Sequence, residues 1–570
     1  MFRPGRLQAA PNVWKRALSN FESRIARHET SSDDKKDLIL TILSSTATKR
    51  EARNYLSKYP LLKENDIYQS HRRILDSDVV SQTSKHDKLI NDLLLKHSAR
   101  SDIQLPEPRH KPEIQLSDTL RVALIRIPTP RRLDPETLRG IALTLRKLVQ
   151  LGVSPVLVLD GKHQIAASES RLRIVNDFLH QCDTLIQTMQ TENLQARTVR
   201  GLFEQENFSL PELLVVPLLH GIVPIIFPTT VKKDSTEEVM TPFETLERLV
   251  SNLCGLNEAY RRNNANDLLT VEKIIYLEDL GGIPSLERFQ SSHVYINLLQ
   301  EYNDIISELY IGHLDSSVRD VHVQNLTEMN QLLAIQPAAT GLITTPDIAT
   351  LRHGTRTTNP IIYNVLTDRP TISSSLPVNL KKTPQLNTTV IKRGTPLTIH
   401  LSDDQPDGKG IDLLEFDRQK IIDLNKLTHL INDSFGKTLD LEHYLNRVNG
   451  NIAAIIIAGD YEGGAIVTWE SAGGRRVPYL DKFAVLRKLQ GIPGIADIVF
   501  KSLLLAYPDE LLWRSRQNNP VNKWYFDRST SDYCIPNTNW RLFFSGSRVR
   551  TLDDLKGYVD VCSKIEPSFV

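Results

Sequence analysis

The spacing of apolar and polar residues becomes regular near residue 120. Leu120–Pro128 is a nearly continuous apolar run, which is typical of a strand buried on both faces. Residues 134–152 repeat apolar positions every three to four residues, which predicts an amphipathic helix that begins after Asp134 and ends at Gly152. A second apolar run, "SPVLVLDG", follows. Strand, helix and strand predict a βαβ unit, and therefore a parallel sheet covered by helices.

Further short patterns extend this arrangement to about residue 370. The sequence predicts strands at "IVPIIF", "KIIYLED" and "GLITT", and a helix at "HVYINLLQEYNDIISELY". The apolar run "LLVVPLLHGIVPIIFP" is broken by Pro217, Gly221 and Pro224, so we expect buried strands joined by a turn and no membrane-spanning helix. Residues 118–370 are therefore expected to form an α/β domain.

A different order of elements is predicted after a polar stretch. Residues 371–391 are rich in Ser, Thr, Pro and Lys, which predicts a linker. Residues 392–570 are expected to form a second, α+β domain. Its predicted elements are a helix ending near "LINDSFGK", a hairpin of "NIAAIIIAGD" and "GAIVTWES", the strand "VPYLDKFAV", the helix "IADIVFKSLLLAY", the strand "ELLWRS", the helix "NKWYFDRS" and the strand "WRLFFSG".

A glycine turn joins the strand "VPYLDKFAV" to the helix that follows it. Gly491 and Gly494 allow the backbone to approach a ligand closely. The first backbone N–H groups of a helix have no partner within the helix, and its dipole favours an anion there. The turn therefore indicates a phosphate site, although a plain turn explains it equally well.

The N-terminal 117 residues differ from the rest of the chain. Residues 1–20 carry four basic residues, and no acidic residue occurs before Glu22. This composition predicts a mitochondrial transit peptide, with a disordered basic tail as the alternative. Residues 21–117 are strongly charged and end in a proline-bearing stretch, so we expect a helical extension without a core of its own.

Overall composition narrows the function further. The 570 residues have a formal net charge of +1, so neither a nucleic acid nor an anionic membrane is indicated as a partner. The four cysteines are scattered and form no CxxC pair. That spacing predicts a reducing compartment and no structural metal.

Several motifs resemble a known enzyme family. The order of elements in residues 392–570 is that of the GNAT acetyltransferase fold, which binds acetyl-CoA. More specifically, "YLDKFAV", "LLWRSRQNNPVNKWYF", "TATKREARNYLSKYP" and "VLTDRPTISSSLP" resemble segments of the fungal mitochondrial N-acetylglutamate synthases. The resemblance implies an amino-acid-kinase-like domain followed by a GNAT domain. It also implies direct transfer of acetyl from acetyl-CoA to the α-amine of L-glutamate, without a metal, in the mitochondrial matrix, as the first step of arginine synthesis.

Basic side chains near the predicted strands suit a substrate with two carboxylates. Arg514 and Arg516 lie two residues apart in a strand, so they are expected to face the same side. The family resemblance implies that five residues contact the substrate: Lys437, Lys482, Arg514, Arg516 and Asn519. The alternative for each of them is a polar or charged side chain that is simply exposed to solvent.

Two residues are candidates for proton transfer. Asp481 could accept a proton from the substrate amine, and its alternative is an ion pair with Lys482 or a place in a loop. The resemblance makes Tyr525 a general acid toward the coenzyme sulfur, and its alternative is a buried aromatic residue. A backbone N–H near Phe483 is expected to polarise the thioester carbonyl.

The coenzyme is expected along the strand and its glycine turn. The resemblance implies contacts from these residues: Phe483, Ala484, Val485, Gln490, Gly491, Gly494, Ile495 and Ala496. The turn departs from the superfamily pattern Q/R-x-x-G-x-G/A, because Gln490 falls one place early and Pro493 has no N–H to donate. We therefore expect the pyrophosphate to be held by fewer or shifted amides.

The first domain lacks the features of an active kinase. Where amino-acid kinases place glycines after the first strand, this chain has "IPTPRR", whose Pro128 and Pro130 cannot donate to a phosphate. The domain is therefore expected to be regulatory. The resemblance implies L-arginine as feedback inhibitor, acetylglutamate kinase as protein partner, and an oligomer. The alternatives are a regulatory subunit of that kinase, an acetyltransferase for another amino acid or a protein N-terminus, and, least supported, a kinase.

Overall fold

The computed structural model describes most of the chain from residue 119 onward. The described residues are 37–42, 59, 119–160, 171–233, 236–261, 267–286, 288, 291–311, 314–354, 357–376, 387–402, 410–490 and 494–569. The predicted transit peptide, nearly all of the predicted extension 21–117, and Gly491 lie outside these residues. No helix within them has the length and apolar content to cross a membrane.

The first half of the described chain alternates strands and helices. Its strands are β1 Leu120–Pro128, β2 Val153–Asp160, β3 Ala196–Val199, β4 Phe203–Glu204, β5 Asn207–Phe208, β6 Val223–Ile226, β7 Thr229–Val231, β8 Glu237–Val239, β9 Leu269–Leu277, β10 Tyr295–Asn297, β11 Thr340–Thr344 and β12 Thr389–Lys392. Its helices are α1 Pro135–Gln150, α2 Arg171–Thr191, α3 Glu212–Leu219, α4 Pro242–Arg261, α5 Leu298–Tyr310, α6 Ser316–Ile335, α7 Pro346–Ala349 and α8 Pro360–Thr367.

These strands build one large sheet and one small sheet. The large sheet has the order β10-β12-β11-β9-β1-β2-β6-β3, and the small one has the order β5-β4-β7-β8. From β11 to β3 all neighbours in the large sheet run parallel. Every residue of β1 and β2 is buried, as a parallel sheet covered on both faces requires. The predicted α/β class of this half is confirmed.

Local sequence signals place α1 as predicted. The Asp134 side chain accepts a hydrogen bond from the Thr137 N–H at 2.9 Å, and Pro135 occupies the first helical position. Two other predictions about this half need correction. The first part of "LLVVPLLHGIVPIIFP" is the helix α3 and only its second part is a strand, β6. The last three residues of the expected linker 371–391, together with Lys392, form strand β12. This strand pairs with β10 and β11, and its Val390 and Ile391 are buried in the sheet.

The second half has a mostly antiparallel sheet. Its strands are β13 Leu397–Leu401, β14 Ile452–Ala458, β15 Gly463–Ala472, β16 Arg475–Val485, β17 Glu510–Arg516, β18 Ser531–Cys534 and β19 Trp540–Gly546. Its helices are α9 Leu413–Arg418, α10 Leu424–Phe435, α11 Leu441–Val448, α12 Ile495–Ala506, α13 Asn522–Phe526 and α14 Leu552–Lys564. The strand order is β13-β14-β15-β16-β17-β19-β18, and β16 with β17 is the parallel pair.

Helices cover both faces of this second sheet. Ile456 of β14 packs with the apolar residues of α12 and α13, whereas its neighbours Ile455 and Ile457 pack with those of α9, α10 and α11. Tyr479 of β16 packs with α14. Because side chains alternate along a strand, α12 and α13 cover one face, and α9, α10, α11 and α14 cover the other. We call the second of these the α14 face.

Candidate active site

The parallel strands β16 and β17 separate soon after they meet. They are in register at Tyr479 and Leu512 alone, although β16 continues to Val485 and β17 to Arg516. Each strand therefore runs on for several residues without the other as a ladder partner. The result is an opening in the sheet, bordered by backbone groups that are available to a ligand.

The amide of Phe483 borders this opening. The Val485 N–H donates to the Ser434 hydroxyl at 3.1 Å, and the Val485 carbonyl accepts from the Gln490 side chain at 3.0 Å, so both groups point away from β15. Backbone groups alternate in direction along a paired strand. The N–H and C=O of Phe483 therefore also point away from β15, toward β17.

A β-bulge at Asp481 decides which way the following residue faces. Ile466 pairs with Lys482 and Val467 pairs with Leu480, which leaves Asp481 without a residue opposite it on β15. If the strand alternated regularly through Asp481, Leu480 and Lys482 would share a face. Instead, Leu480 packs against α12, and Lys482 lies on the opposite face with the aromatic ring of Tyr444. The bulge thus brings Lys482 to the α14 face.

Asp481 forms a buried ion cluster. Its side chain is only 2% exposed, lies 2.6 Å from the Lys482 ammonium and also pairs with Arg447. Burial alone would raise the pKa of Asp481, but the charges of Lys482 and Arg447 outweigh it and lower that pKa. A carboxylate with a lowered pKa is a weak base. The geometry therefore corresponds to the ion-pair alternative, and it gives the predicted role as proton acceptor no support.

Burial has the largest effect on the pKa of Lys482, the partner of Asp481. The pKa of Lys482 is lowered because the ammonium is removed from water, and the attraction of Asp481 only partly compensates. The positive charges of Arg447 and Arg514 lower it further. Lys482 and Arg514 are therefore close enough to interact, although they lie on different strands.

Arg514 and Arg516 both approach one aromatic ring. The guanidinium carbons of Arg514 and Arg516 lie 4.2 Å and 5.6 Å from the centre of the Trp540 ring, respectively. Arg516 is exposed, whereas Arg514 donates hydrogen bonds to the carbonyls of Cys562 and Ile565. The two arginines share one side of β17, as strand geometry predicted, and they lie on the α14 face with Lys482.

The remaining two predicted substrate residues lie at the edges of this region. Lys437 is exposed in the turn between α10 and α11. The Asn519 amide donates to the Ser515 hydroxyl at 2.8 Å, and its oxygen accepts from the Val521 N–H at 3.1 Å. Ser515 lies between the two arginines on β17, so its side chain points to the opposite face of the sheet. The contact with Ser515 therefore holds Asn519 in the turn after the strand, away from the α14 face.

The described part of the glycine turn leads directly into α12. Gly494 precedes the helix with a φ of +121°, a conformation that side chains rarely adopt. Ile495 and Ala496 occupy the first turn of α12, where backbone N–H groups lack helical partners. Gln490 uses its amide to hold the Val485 carbonyl. The amides of Ile495 and Ala496 are therefore placed to meet an anion, while the Gln490 side chain is already engaged.

A buried network that the sequence did not reveal lies beside this turn. Asp497, in the first turn of α12, accepts from Arg528 at 2.8 Å and from the hydroxyls of Ser373 and Ser375 at 3.0 Å and 2.7 Å. Burial would raise the pKa of Asp497, but Arg528 and the two serines lower it. No motif marks Arg528, because its partners come from segments far apart in sequence.

Residues of the first half also contact α12. Lys501 pairs with Glu301 of α5, and a Cβ atom at Gly494 would lie 3.9 Å from the Tyr295 hydroxyl of β10. Ile498 of α12 belongs to the apolar core of the first half. Gly494 and α12 are therefore supported by residues of the first half.

Tyr525 lies in an aromatic cluster on the other face. Its ring centre is 5.8 Å from that of Trp513, 5.6 Å from that of Trp524 and 5.5 Å from that of Phe543. Burial raises the pKa of Tyr525 well above its ordinary value, so its hydroxyl remains protonated at neutral pH. Tyr525 is a buried aromatic residue, as the alternative predicted, and its phenol is also in the protonated state that a general acid requires.

The second half contains two cysteines, Cys534 and Cys562, which differ in burial. Burial raises the pKa of the Cys562 thiol to about 12, which makes its thiolate inaccessible at neutral pH. Cys534 is exposed on β18 and lies within hydrogen-bond distance of Arg541. No group of three or more metal-ligating side chains occurs in these parts of the chain.

Known proteins are similar in sequence to both halves of the chain. Residues 414–565 match the family model described as "NAT, N-acetyltransferase, of N-acetylglutamate synthase". The chain is 39% identical to the mitochondrial amino-acid acetyltransferase of Scheffersomyces stipitis, over 96% of this chain and 97% of that protein. It is also 39% identical to the mitochondrial amino-acid acetyltransferase of Yarrowia lipolytica, over 94% of this chain and 93% of that protein.

A solved structure gives a more distant match. The N-acetylglutamate synthase of Neisseria gonorrhoeae, complexed with coenzyme A and N-acetyl-glutamate, is 12% identical with a TM-score of 0.45. The match covers 75% of this chain and 95% of that chain. A similarity of this size bears on no individual residue of the site.

Proposed function

The chain belongs to the fungal mitochondrial amino-acid acetyltransferases, and from this premise we propose that it acetylates the α-amine of L-glutamate with acetyl-CoA. The observation that carries the proposal is that Lys482 of β16 and Arg514 and Arg516 of β17 lie on the same α14 face, at the two strands that border the opening. Two carboxylates on a short amino acid require cationic partners. A thioester lying in the opening would present its carbonyl next to that cationic surface.

We further propose that transfer is direct. The substrate ammonium first loses a proton to solvent, and the free amine attacks the thioester carbonyl while the Phe483 N–H stabilises the oxyanion. The carbon–sulfur bond then breaks, Tyr525 protonates the departing thiolate, and the second proton lost from the nitrogen returns to the Tyr525 phenolate through solvent. The amides of Ile495 and Ala496 hold the pyrophosphate of the coenzyme. Asp481 positions Lys482 and does not take the amine proton, since its pKa is lowered by two cations. The buried Cys562 thiol supports direct transfer, because its raised pKa makes an acyl-enzyme unfavourable there.

The first half of the chain has a regulatory role in this proposal. Its β1 ends at Pro128, and Pro130 follows in a 3-10 turn, so neither residue can donate an N–H to a nucleotide phosphate. We propose that this half responds to L-arginine and associates with acetylglutamate kinase in the mitochondrial matrix. Binding of radiolabelled arginine, with no binding of ATP, is the expected result.

The substrate is tested by release of free CoA thiol from the purified protein. The wild type should release CoA faster with L-glutamate than with aspartate, glutamine or a peptide. Lys482→Met should raise the KM for glutamate about 10- to 100-fold, because a hydrogen bond to a charged group contributes about 1.5–3 kcal/mol. Asp481 keeps Arg447 as a partner in this variant, so the fold is spared.

Lys556→Met is the matched control, since Lys556 is an exposed lysine of α14 that pairs with Asp553. Its kinetics should match those of the wild type. Equal rates with glutamate and other amino acids would reject glutamate as the substrate. Absence of CoA release with every amino acid would favour a regulatory subunit of the kinase.

Coenzyme affinity should depend on Arg528. Arg528→Met leaves the Asp497 carboxylate uncompensated in the first turn of α12, near the proposed pyrophosphate site. We expect the KM for acetyl-CoA to rise about tenfold, because a nearby negative charge opposes an anion at a helix N-terminus. The KM for glutamate should change less.

A double variant separates this charge effect from a loss of folding. Arg528→Met combined with Asp497→Asn removes both charges and should recover most of the acetyl-CoA affinity. If the double variant binds acetyl-CoA as poorly as the single variant, the charge of Asp497 is not the cause.

A further inference from the structure

The C-terminal tail, residues 565–569, folds back over the α14 face. The Ser568 carbonyl accepts from the Asp440 N–H at 3.0 Å, and Phe569 forms a β-bridge with Leu439. The Phe569 ring centre lies 4.8 Å from that of Phe435, the last residue of α10. The tail is thus held against the turn between α10 and α11 by backbone and aromatic contacts together.

Phe569 is one of three side chains around the Lys482 ammonium. The Lys482 Nζ lies 5.5 Å from the centre of the Phe569 ring and 4.5 Å from the centre of the Tyr444 ring. Asp481 lies 2.6 Å from the same nitrogen. Two aromatic faces and one carboxylate therefore surround the ammonium, and together they restrict its orientation.

Arg514 links the tail to the strand that carries the other cation. It donates to the carbonyls of Cys562 and Ile565, at the end of α14 and the start of the tail. These carbonyls lie at the negative end of the helix dipole, so a guanidinium is a favourable partner there. The position of the tail is therefore coupled to Arg514, on the same face as Lys482.

We propose that Phe569 is a positioning residue for substrate binding: it acts through Lys482 by holding the ammonium toward Arg514 and by excluding water from it. This inference rests on the proposed function, in which Lys482 binds a substrate carboxylate. An ammonium partly removed from water and fixed by aromatic faces binds a carboxylate more strongly than a free surface lysine does. Phe569 is then part of the amino-acid site, although it is remote from Lys482 in sequence.

Steady-state kinetics with four variants test the proposal. Phe569→Ala should raise the KM for glutamate about tenfold, which corresponds to about 1.4 kcal/mol of binding free energy and lies within the range of a desolvated cation–π contact. The KM for acetyl-CoA should stay within about twofold, and kcat should change little. Phe569→Tyr should restore the wild-type KM, whereas Phe569→Leu should not, because leucine covers the surface without an aromatic face.

Glu566→Ala is the matched control, because Glu566 is an exposed residue of the same tail. Its kinetics should equal those of the wild type. A wild type that prefers glutamate, together with an unchanged KM in Phe569→Ala, would overturn this inference and leave the proposed function standing. Equal recovery by Phe569→Leu and Phe569→Tyr would also overturn it. A wild type without preference for glutamate would overturn the proposed function itself, and the inference with it.

Discussion

Replacing Arg126 with methionine should lower the free energy of unfolding by about 3–5 kcal/mol, because it leaves buried carboxylates without their cation. The Arg126 side chain is fully buried at the end of β1. It lies 2.8 Å from Glu328, 2.9 Å from Glu278 and 3.5 Å from Asp160. Its guanidinium also lies 3.8 Å from the centre of the Tyr276 ring.

Two spectroscopic signals can locate this loss of stability. Four of the five tryptophans belong to the second half, at positions 469, 513, 524 and 540, so tryptophan fluorescence reports mainly on that half. Far-UV circular dichroism reports on both halves. In urea titrations of Arg126→Met, the circular dichroism signal should begin to change at a lower concentration, and the fluorescence transition should move less.

Arg139→Met provides the comparison. Arg139 also pairs with a glutamate, Glu192, at 2.6 Å, but its side chain is 66% exposed. An exposed ion pair is screened by water and contributes little to stability, so this variant should unfold nearly as the wild type does. An Arg126→Met variant no less stable than Arg139→Met would show that the buried cluster does not depend on its arginine.

The same cluster occupies the carboxyl end of β1. A fixed guanidinium at the carboxyl end of β1 lies where parallel α/β sheets usually bind ligands. Here that position is filled by Arg126 and its carboxylate partners, beside a turn whose Pro128 and Pro130 have no N–H. The sequence indicated the loss of phosphate-binding amides. It could not indicate the cluster, because Glu278 and Glu328 lie about 150 and 200 residues away along the chain.

Local sequence signals were sufficient to predict an element where its structure depends on residues of the same segment. The start of α1 follows from Asp134 and Pro135, and the common side of Arg514 and Arg516 follows from strand alternation. The apolar run that contains α3 carried no such signal, since buried helices and buried strands are equally apolar over a few residues. Strand β12 was missed because its partners β10 and β11 are remote in sequence.

The site was predictable in part for the same reason. The cations of the candidate site were proposed from residue type and family resemblance, but their arrangement depends on the bulge at Asp481, which turns Lys482 to the α14 face. A bulge inserts one residue into a strand pair and leaves no motif of its own. The partners Arg447, Arg528 and Phe569 became visible only when distant segments were brought together.

Replacing Tyr525 with phenylalanine should lower kcat about a hundredfold and leave the KM for glutamate nearly unchanged. General acid catalysis contributes about 10²- to 10⁴-fold to a rate, and the departing thiolate of the proposed reaction needs a proton. Burial keeps the Tyr525 phenol protonated by raising its pKa. Phenylalanine preserves the ring that packs against Trp513 and Phe543, so the variant should fold normally.

A control variant and a second thioester substrate distinguish proton donation by Tyr525 from a structural effect of the substitution. Tyr533→Phe removes a hydroxyl from an exposed tyrosine of β18 and should leave kcat unchanged. An acetyl thioester of a more acidic thiol needs less help from a general acid, so it should reduce the difference between Tyr525→Phe and the wild type. A Tyr525→Phe enzyme with the wild-type kcat for acetyl-CoA would exclude the phenol as the acid. If instead kcat falls equally for both thioesters, Tyr525 contributes through the shape of the aromatic cluster and not through its proton.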